Sequence, residues 1–425
     1  MIAFLFILFF ALLFFGVPLF ITQLLPVVAT LSVFEKNIPA YVISQRMVAG
    51  VSPFTLVAIP LFIFAADVML EGDLSSELIG FVEKIVGHLP GGMVQTLIGA
   101  CTLFGAVSGS TQAAVAAIGG TMYPSLTKKY PKGFILAAIV NASDVAVLIP
   151  PSVIMIVYAI VARVSVGRMF LAGIGPGLLL ALAFMIYAWW WAARNKIPVE
   201  PRAKFKDILG SLREAIWALL LPVIVIGGIY SGIATPTEAA GASVVYAILV
   251  EVLVYKKMKL KDLPRVAYRS GITTALVFIL VAGGEALAWL LTITRVPATI
   301  THVLLGMNPS PILVLMLVNV VFFVALMLMP PLSAVIVLTP LFLPAAQACG
   351  IDPIHLGVLI TLNCAIGSAT PPFGVDLFTA CGLFKVSLDE VIHDVWPFIL
   401  AGVIVLIILT FLPDIALLLP RLAYK

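Results

Sequence analysis

Four short stretches set oxygen ligands beside broken backbone inside otherwise apolar sequence. Ser108-Gly109-Ser110-Thr111 interrupts the run 92–127, and Asp144 stands six residues ahead of Pro150-Pro151-Ser152. Met329-Pro330-Pro331-Leu332 interrupts 310–348 just before Ser333, and Thr370-Pro371-Pro372 interrupts 355–384. Proline removes a backbone N–H and strands carbonyls, which hydrocarbon penalises unless that backbone is buried in protein or lines a polar cavity. Stranded carbonyls and hydroxyls can hold a cation, and helix N-termini can face an anion. Asp144 lies about 9 Å along the helix from Pro150 at 1.5 Å per residue. A carboxylate at the centre of a bilayer costs on the order of 3 kcal/mol. It is therefore expected to line a cation site, the alternative being a protonated acid bonded to a carbonyl or to Asn141. Catalysis is not expected. His88, His302, His355 and His393 form no H-E-x-x-H pair, no Walker loop is present, and the G-S-T stretch has no nearby base.

The elements that hold these residues are membrane spans. Of 425 residues 62% are hydrophobic and 10% charged, and the mean hydropathy is +1.20, too little polarity for the surface of a soluble globule. The 24 Lys and Arg against 20 Asp and Glu give +4, which argues for neither a nucleic acid nor an acidic partner. The four cysteines have no metal-ligand spacing and read as small apolar residues. Runs of the ~20 residues a crossing needs fall at 2–25, 53–71, 134–162, 169–193, 215–234, 236–255, 270–291, 355–384 and 395–417. The first has no basic n-region or cleavage site and reads as a retained span.

Basic clusters at 128–132, 194–206 and 256–269 share one side if 92–127 enters and leaves from that side. Lys and Arg in short loops stay cytoplasmic, so the N-terminus is expected in the cytoplasm and the C-terminal RLAYK tail outside. At an offset of 221, Pro150, Pro151 and Pro176 fall on Pro371, Pro372 and Pro397, and at 220 Pro124 falls on Pro344. The chain then reads as two copies of one unit: residues 1–193 with an amphipathic arm at 73–88, an interrupted hairpin at 92–127 and a broken helix at 134–162; and residues 236–425 with an arm at 294–307, a hairpin at 310–348 and a broken helix at 355–384. Residues 194–235 are a linker and connector span that inverts the second copy. The expected fold is an all-α polytopic membrane protein with inverted repeats, two re-entrant hairpins and two broken helices.

The motifs QRMVAG, IPLFIFA, GHLPGGM, GAVSGSTQAA, LIPPS, GIATPTEAA, GIDPIHLG and TPPFGVDLF, in this order, resemble the large membrane subunit of the tripartite ATP-independent periplasmic (TRAP) transporters. The resemblance runs nearly the whole chain. It implies a sodium-driven secondary importer in the bacterial inner membrane with an elevator mechanism. It also implies a substrate-binding protein in the periplasm that delivers a small organic acid anion, C4-dicarboxylate, sialic acid or similar. A separate small membrane subunit of about four spans is implied, because this chain has no spare spans for it. Carried across by residue, one sodium site would use Ser108 and Thr111 with Ala146, Ile149 and Pro151, where Asp144 is also placed. A second would use Leu326, Gly367 and Thr370. Substrate would sit between the tips, at Ser108, Ser110, Thr111, Ser152, Pro331, Ser333, Thr370 and Pro371.

Two positions depart from the family pattern. Where relatives read A-G-T-L-G before the double proline, this chain reads Ala142-Ser143-Asp144-Val145-Ala146, and where relatives carry an acid before the second tip's proline it has Pro330. One carboxylate is gained and one lost, which bears on ion stoichiometry and substrate. Arg46, Asp67, Arg163 and Arg168 near span ends read as snorkelling or loop residues, Glu285 as functional or interfacial in equal measure, and Glu238 as a helix-start carboxylate. The alternatives are a single-component sodium/anion symporter of related hairpin architecture, an intramembrane hydrolase and a purely structural subunit.

Overall fold

The computed structural model describes residues 1–35, 37–72, 74–306 and 309–424. Residues 73 and 307, the first and last of the two expected arms, and residue 425 of the tail lie outside them. Every regular element among the described residues is a helix. The first half runs α1 (Ile2–Phe14), α2 (Leu19–Phe34), α3 (Tyr41–Val51), α4 (Ala58–Glu71), α5 (Leu74–Val86), α6 (Gly92–Ser108), α7 (Thr111–Ala114), α8 (Gly120–Leu126), α9 (Lys132–Asp144), α10 (Val153–Ala162) and α11 (Val166–Arg194). After α12 (Phe205–Tyr230) come α13 (Pro236–Leu249), α14 (Leu263–Ile293), α15 (Val296–Gly306), α16 (Pro311–Leu326), α17 (Pro331–Ala348), α18 (Pro353–Ser368), α19 (Val375–Phe384), α20 (Leu388–Ile392), α21 (Trp396–Phe411) and α22 (Asp414–Ala423).

Among the described residues six helices are long and apolar enough to cross a bilayer, and seven if α21 and α22, bent by 57°, count as one. The sequence suggests nine; three of those runs are divided or folded back, and one of the six helices, α17, lies in the run 310–348 expected as a hairpin. Residues 134–162 and 355–384 are each two shorter helices. Residues 2–25 are not one span either. α1 folds back on α2, with the Phe4 and Phe34 rings 5.6 Å apart. The turn follows from Gly16, which takes φ +69, and Pro18, which has no N–H to offer a continuing helix.

Two populations of helix result. α12 buries only Ala215, Ala218, Leu221, Val225 and Ile229, a stripe at the three- and four-residue spacing of one helix face. In α9 every residue from Phe134 to Asp144 is buried, and in α18 every residue from Ile354 to Ser368. These inner helices carry polar groups that must find partners in the protein. Asn363 Nδ2 donates to Asn319 Oδ1 (3.0 Å), Asn319 Nδ2 to Thr410 Oγ1 (2.9 Å), and Thr410 Oγ1 to Leu406 O (2.7 Å), tying α18 to α16 and α21.

The two broken helices run antiparallel through this core. Lys132 at the start of α9 pairs with Glu390 of α20, just past the end of α19, at 2.5 Å. At the other end Tyr158 of α10 donates to the Pro353 carbonyl that opens α18 (2.6 Å). The basic clusters gather around α5. Lys129 pairs with Glu200 (2.6 Å), Arg265 with Glu71, and Tyr255 Oη donates to Glu214 O (2.6 Å). The tail lies at the opposite end, where Arg168 stacks on Tyr424 (5.1 Å) and Arg421 pairs with Asp414. That pairing offsets the tail's positive charge.

Candidate functional site

Helix α6 ends at Ser108 because Gly109 turns left-handed, φ +59, a conformation that costs a residue with a Cβ. Ser110 then caps α7, its Oγ accepting from Ala113 N (3.4 Å) and donating to Gln112 Oε1 (3.2 Å). This tip sits directly on the first helix break. A Cβ added to Gly109 would lie 1.8 Å from the Pro151 carbonyl oxygen and 3.0 Å from Ser152 Cα, and one on Gly105 would lie 2.5 Å from Ala146 Cα. The structure thus brings Ser108 and Gly109 together with Ala146, Pro151 and Ser152. Ser152 itself caps α10, accepting from Met155 N (3.4 Å). Ile149 packs toward Gly177.

Thr111, the first residue of α7, reaches out of its own half. Its Oγ1 donates to Oδ1 of Asp376 (2.9 Å), the second residue of α19. The Asp144 carboxyl, at the C-terminal end of α9, neighbours that of Asp376. Both are buried, with 1% and 0% of their surface exposed. Apart from the contact of the two carboxyls with each other, neither oxygen of Asp144, nor Oδ2 of Asp376, has a hydrogen-bond partner. Asn141, one partner considered for Asp144, spends its amide on Ala137 O (2.9 Å). Ser143 gives its hydroxyl to Ile139 O (2.8 Å). Two adjacent buried carboxyls are unstable as bare charges. Chemically such a pair can share a proton or hold a hard cation, and Thr111 Oγ1 stands beside it.

The second tip is assembled in the same way and differs in chemistry. A Cβ on Gly367 would lie 2.5 Å from Leu326 Cβ, so Leu326 and Gly367 meet. The hydroxyls here are engaged, while the Oε1 of Gln23, the residue that meets Ser333, is buried without a partner. Thr370 Oγ1 donates to Ile366 O (2.7 Å), and Ser333 Oγ accepts from Gln23 Nε2 of α2 (3.1 Å). Met329 and Pro330 line a cavity of about 440 Å³ with Phe10, Phe14, Phe373 and Phe378. Pro331 is buried and Pro371 half-buried beside this break. Asp144 does not line that cavity. The carboxylate gained and the one lost therefore belong to different places.

Three features lay outside the sequence reading. Asp376 lies within the motif TPPFGVDLF, and a carboxylate in the first turn of a helix has an ordinary explanation. Gln23 was not singled out. Arg46, Arg163 and Glu285 line one cavity, although Arg46 and Arg163 read as span-end residues. Glu238 does close a capping box with Thr235, its Oε2 accepting from Thr235 N at 2.7 Å. Asp67 accepts from Ser270 Oγ (2.6 Å) and pairs with Arg269 (3.5 Å). Among the described residues no three His, Cys, Asp or Glu gather as metal ligands.

Comparison with known proteins places this geometry in a family. The chain is 47% identical to the ectoine/5-hydroxyectoine TRAP transporter large permease protein UehC of Ruegeria pomeroyi, over 90% of this chain and 89% of that protein. It is 46% identical to the ectoine TRAP transporter large permease protein TeaC of Halomonas elongata, over 90% of each. Among solved structures it resembles the YdaH transporter of Alcanivorax borkumensis, with a TM-score of 0.61 at 13% identity and 86% of each chain covered, a likeness of fold alone. Residues 6–415 match the family described as tripartite ATP-independent periplasmic transporter, DctM component. With helices of spanning length, divided helices at its centre and this match across nearly its whole length, the chain belongs to the DctM family of large TRAP transporter permeases, multi-pass membrane proteins of transport.

Proposed function

We propose that this subunit imports a small organic acid by sodium symport, taking it from a periplasmic binding protein and working with a small membrane subunit. The observation that carries the sodium coupling is the buried pair Asp144 and Asp376, three of whose oxygens no other residue satisfies, set where the first tip meets both broken helices. Sodium would be held there by the two carboxylates and Thr111, with Ser108 and the carbonyls near Ala146, Ile149 and Pro151 in reach. A second ion at Leu326, Gly367 and Thr370 would rely on carbonyls and on the lone pairs Thr370 keeps while donating to Ile366. Bound sodium supplies the positive charge that makes this region tolerable in the bilayer and links the solute's movement to the ion gradient.

The two relatives compared above are named for ectoine, which favours a cyclic, zwitterionic organic acid over a dicarboxylate or a sialic acid. Substrate between the tips would meet Ser110, Ser152, Pro331, Ser333 and Pro371. The contrast between fully buried α9 and α18 and striped α12 supports an elevator in which the broken helices and tips move as one body. The halves 1–193 and 236–425 are read as inverted copies, with the antiparallel broken helices in support. The end that holds the basic clusters is assigned to the cytoplasm and the tail to the periplasm. The cytoplasmic N-terminus expected from a single first span loses its basis, because α1 folds back.

In proteoliposomes with an inward sodium gradient, ectoine uptake should need this chain, the small subunit and the cognate binding protein together. Robust uptake by this chain alone would favour the single-component symporter instead. Cysteine labelling should place positions 204 and 257 inside and 237 outside; opposite labelling of 204 and 257 would remove the topology.

A further inference from the structure

We infer that the cavity enclosed by Arg46, Arg163, Glu285 and Trp289 is a binding site for a small zwitterion, a solute carrying one carboxylate and one planar, delocalised cation. The inference rests on the transport reading only for the kind of solute. The cavity holds about 420 Å³, within the range of small-molecule sites. It lies apart from the carboxylate pair, between α3 and α14 on one side and α10 and α17 on the other, with Gly50, Val157 and Ile336 in its walls. It sits toward the end of the molecule opposite the basic clusters, because Arg163 also borders a second cavity with Pro236 and Tyr424.

Its charges are arranged for a ligand of two signs. Two guanidiniums and one carboxylate line the same space, and among the described residues neither arginine closes an ion pair with Glu285. Both guanidiniums lie within electrostatic reach of Glu285 without closing a contact ion pair. Arg46 is fixed over the Trp289 ring at 5.4 Å, which leaves its N–H edge to bind a carboxylate. Arg163 ends α10 in a left-handed turn, φ 55. Glu285 is held in the cavity wall, since α3 comes so close at Gly50 that a Cβ there would lie 2.6 Å from Glu285 Cβ. A carboxylate seated by the arginines leaves Glu285 facing the rest of the solute. A delocalised cation would complete the set, and a second carboxylate would be repelled. Helices from both sides contribute, so a bound solute bridges the outer helices and the broken-helix body.

The test is direct binding to the purified complex of this chain and its small subunit, by equilibrium dialysis with radiolabelled ectoine and radiolabelled succinate, and involves no transport. Ectoine should bind about tenfold more tightly than succinate, the scale of one charged hydrogen bond. Glu285→Gln should weaken ectoine by about that factor and spare succinate, closing the gap. Arg163→Ala, at an exposed position, should weaken both and serves if Glu285→Gln does not fold. Equal affinities in the wild type, no binding of either solute, or a preference that survives Glu285→Gln each overturn the inference. Sodium-driven uptake with all three components would persist in those cases, so the transport reading is judged separately.

Discussion

The two tips are built alike and furnished differently. Each is a short turn lying on the break of a proline-divided helix, and each makes its closest approach through a glycine. At the first, Gly109 meets backbone, the Pro151 carbonyl, and three carboxyl oxygens have no partner beyond the paired carboxyls themselves. At the second, Gly367 meets the Leu326 side chain, the hydroxyls of Ser333 and Thr370 are engaged, and the nearest cavity is lined by phenylalanines. Shared construction follows from the prolines. Chemistry follows from one or two side chains, so that the buried carboxyls are concentrated at the first tip.

The largest effect expected from that contrast is on sodium. Asp144→Asn and Asp376→Asn should each weaken the apparent sodium activation constant by about tenfold or more, as for loss of one charged contact. The double variant should cost less than the sum, because the two share one ion. Sodium-dependent thermal stabilisation of the purified complex should fall in parallel. Unchanged activation constants and Hill coefficients at two pH values would make the pair structural and leave the ions to backbone carbonyls.

Next in size is the geometry. Gly109→Ala would pay about 1 kcal/mol for its left-handed backbone and would drive a methyl group into a carbonyl that cannot turn aside. Transport should be nearly abolished and the melting temperature lowered. Gly367→Ala presses on Leu326 Cβ at 2.5 Å, which no rotamer change moves. It carries no left-handed backbone and the approach is less close than at Gly109, so the loss should be smaller. Equal losses at the two sites would break the comparison.

How much of this was legible follows from what each residue does to a helix. Double prolines and a Gly-Ser turn inside apolar sequence interrupt a span in any context, so both tips, both breaks and Asp144 stood out. The fold-back at Gly16 did not, because hydropathy stays high through Phe14-Phe15-Gly16-Val17-Pro18 and a window of spanning length averages over the turn. Asp376 was hidden by having an ordinary local explanation, and its partners Thr111 and Asp144 lie in the other half of the chain. Arg46, Arg163 and Glu285 illustrate the same limit: each is unremarkable on its own helix, and only the packing of α3 and α10 against α14 gives them a common space.

A smaller effect is expected where the second tip touches α2. Ser333→Ala removes the acceptor of the buried Gln23 amide, which should cost about 1 kcal/mol of stability and be read as a modest drop in melting temperature. Sodium activation should not move. A shift there comparable to that of Asp144→Asn would show that the second tip also carries ion chemistry through its side chains.

The smallest effect tests whether the ends of the broken helices matter as their middle does. Lys132 and Glu390 join α9 to α20 at a solvent-facing position, their side chains 49% and 43% exposed, where ion pairs contribute little. The Lys132 hydrogen bond holds the Glu390 carboxyl below its ordinary range, helped by the Ser387 backbone. A depressed folded-state value means that the contribution is present at neutral pH and is lost as pH falls through the carboxylate range, about 4 and below. Lys132→Gln should therefore lower the melting temperature slightly at neutral pH, with the difference from wild type vanishing in acid, and should leave sodium activation alone. If it instead shifts sodium activation as far as Asp144→Asn does, the cation site is not local to the first tip but depends on the register of the two broken helices along their whole length.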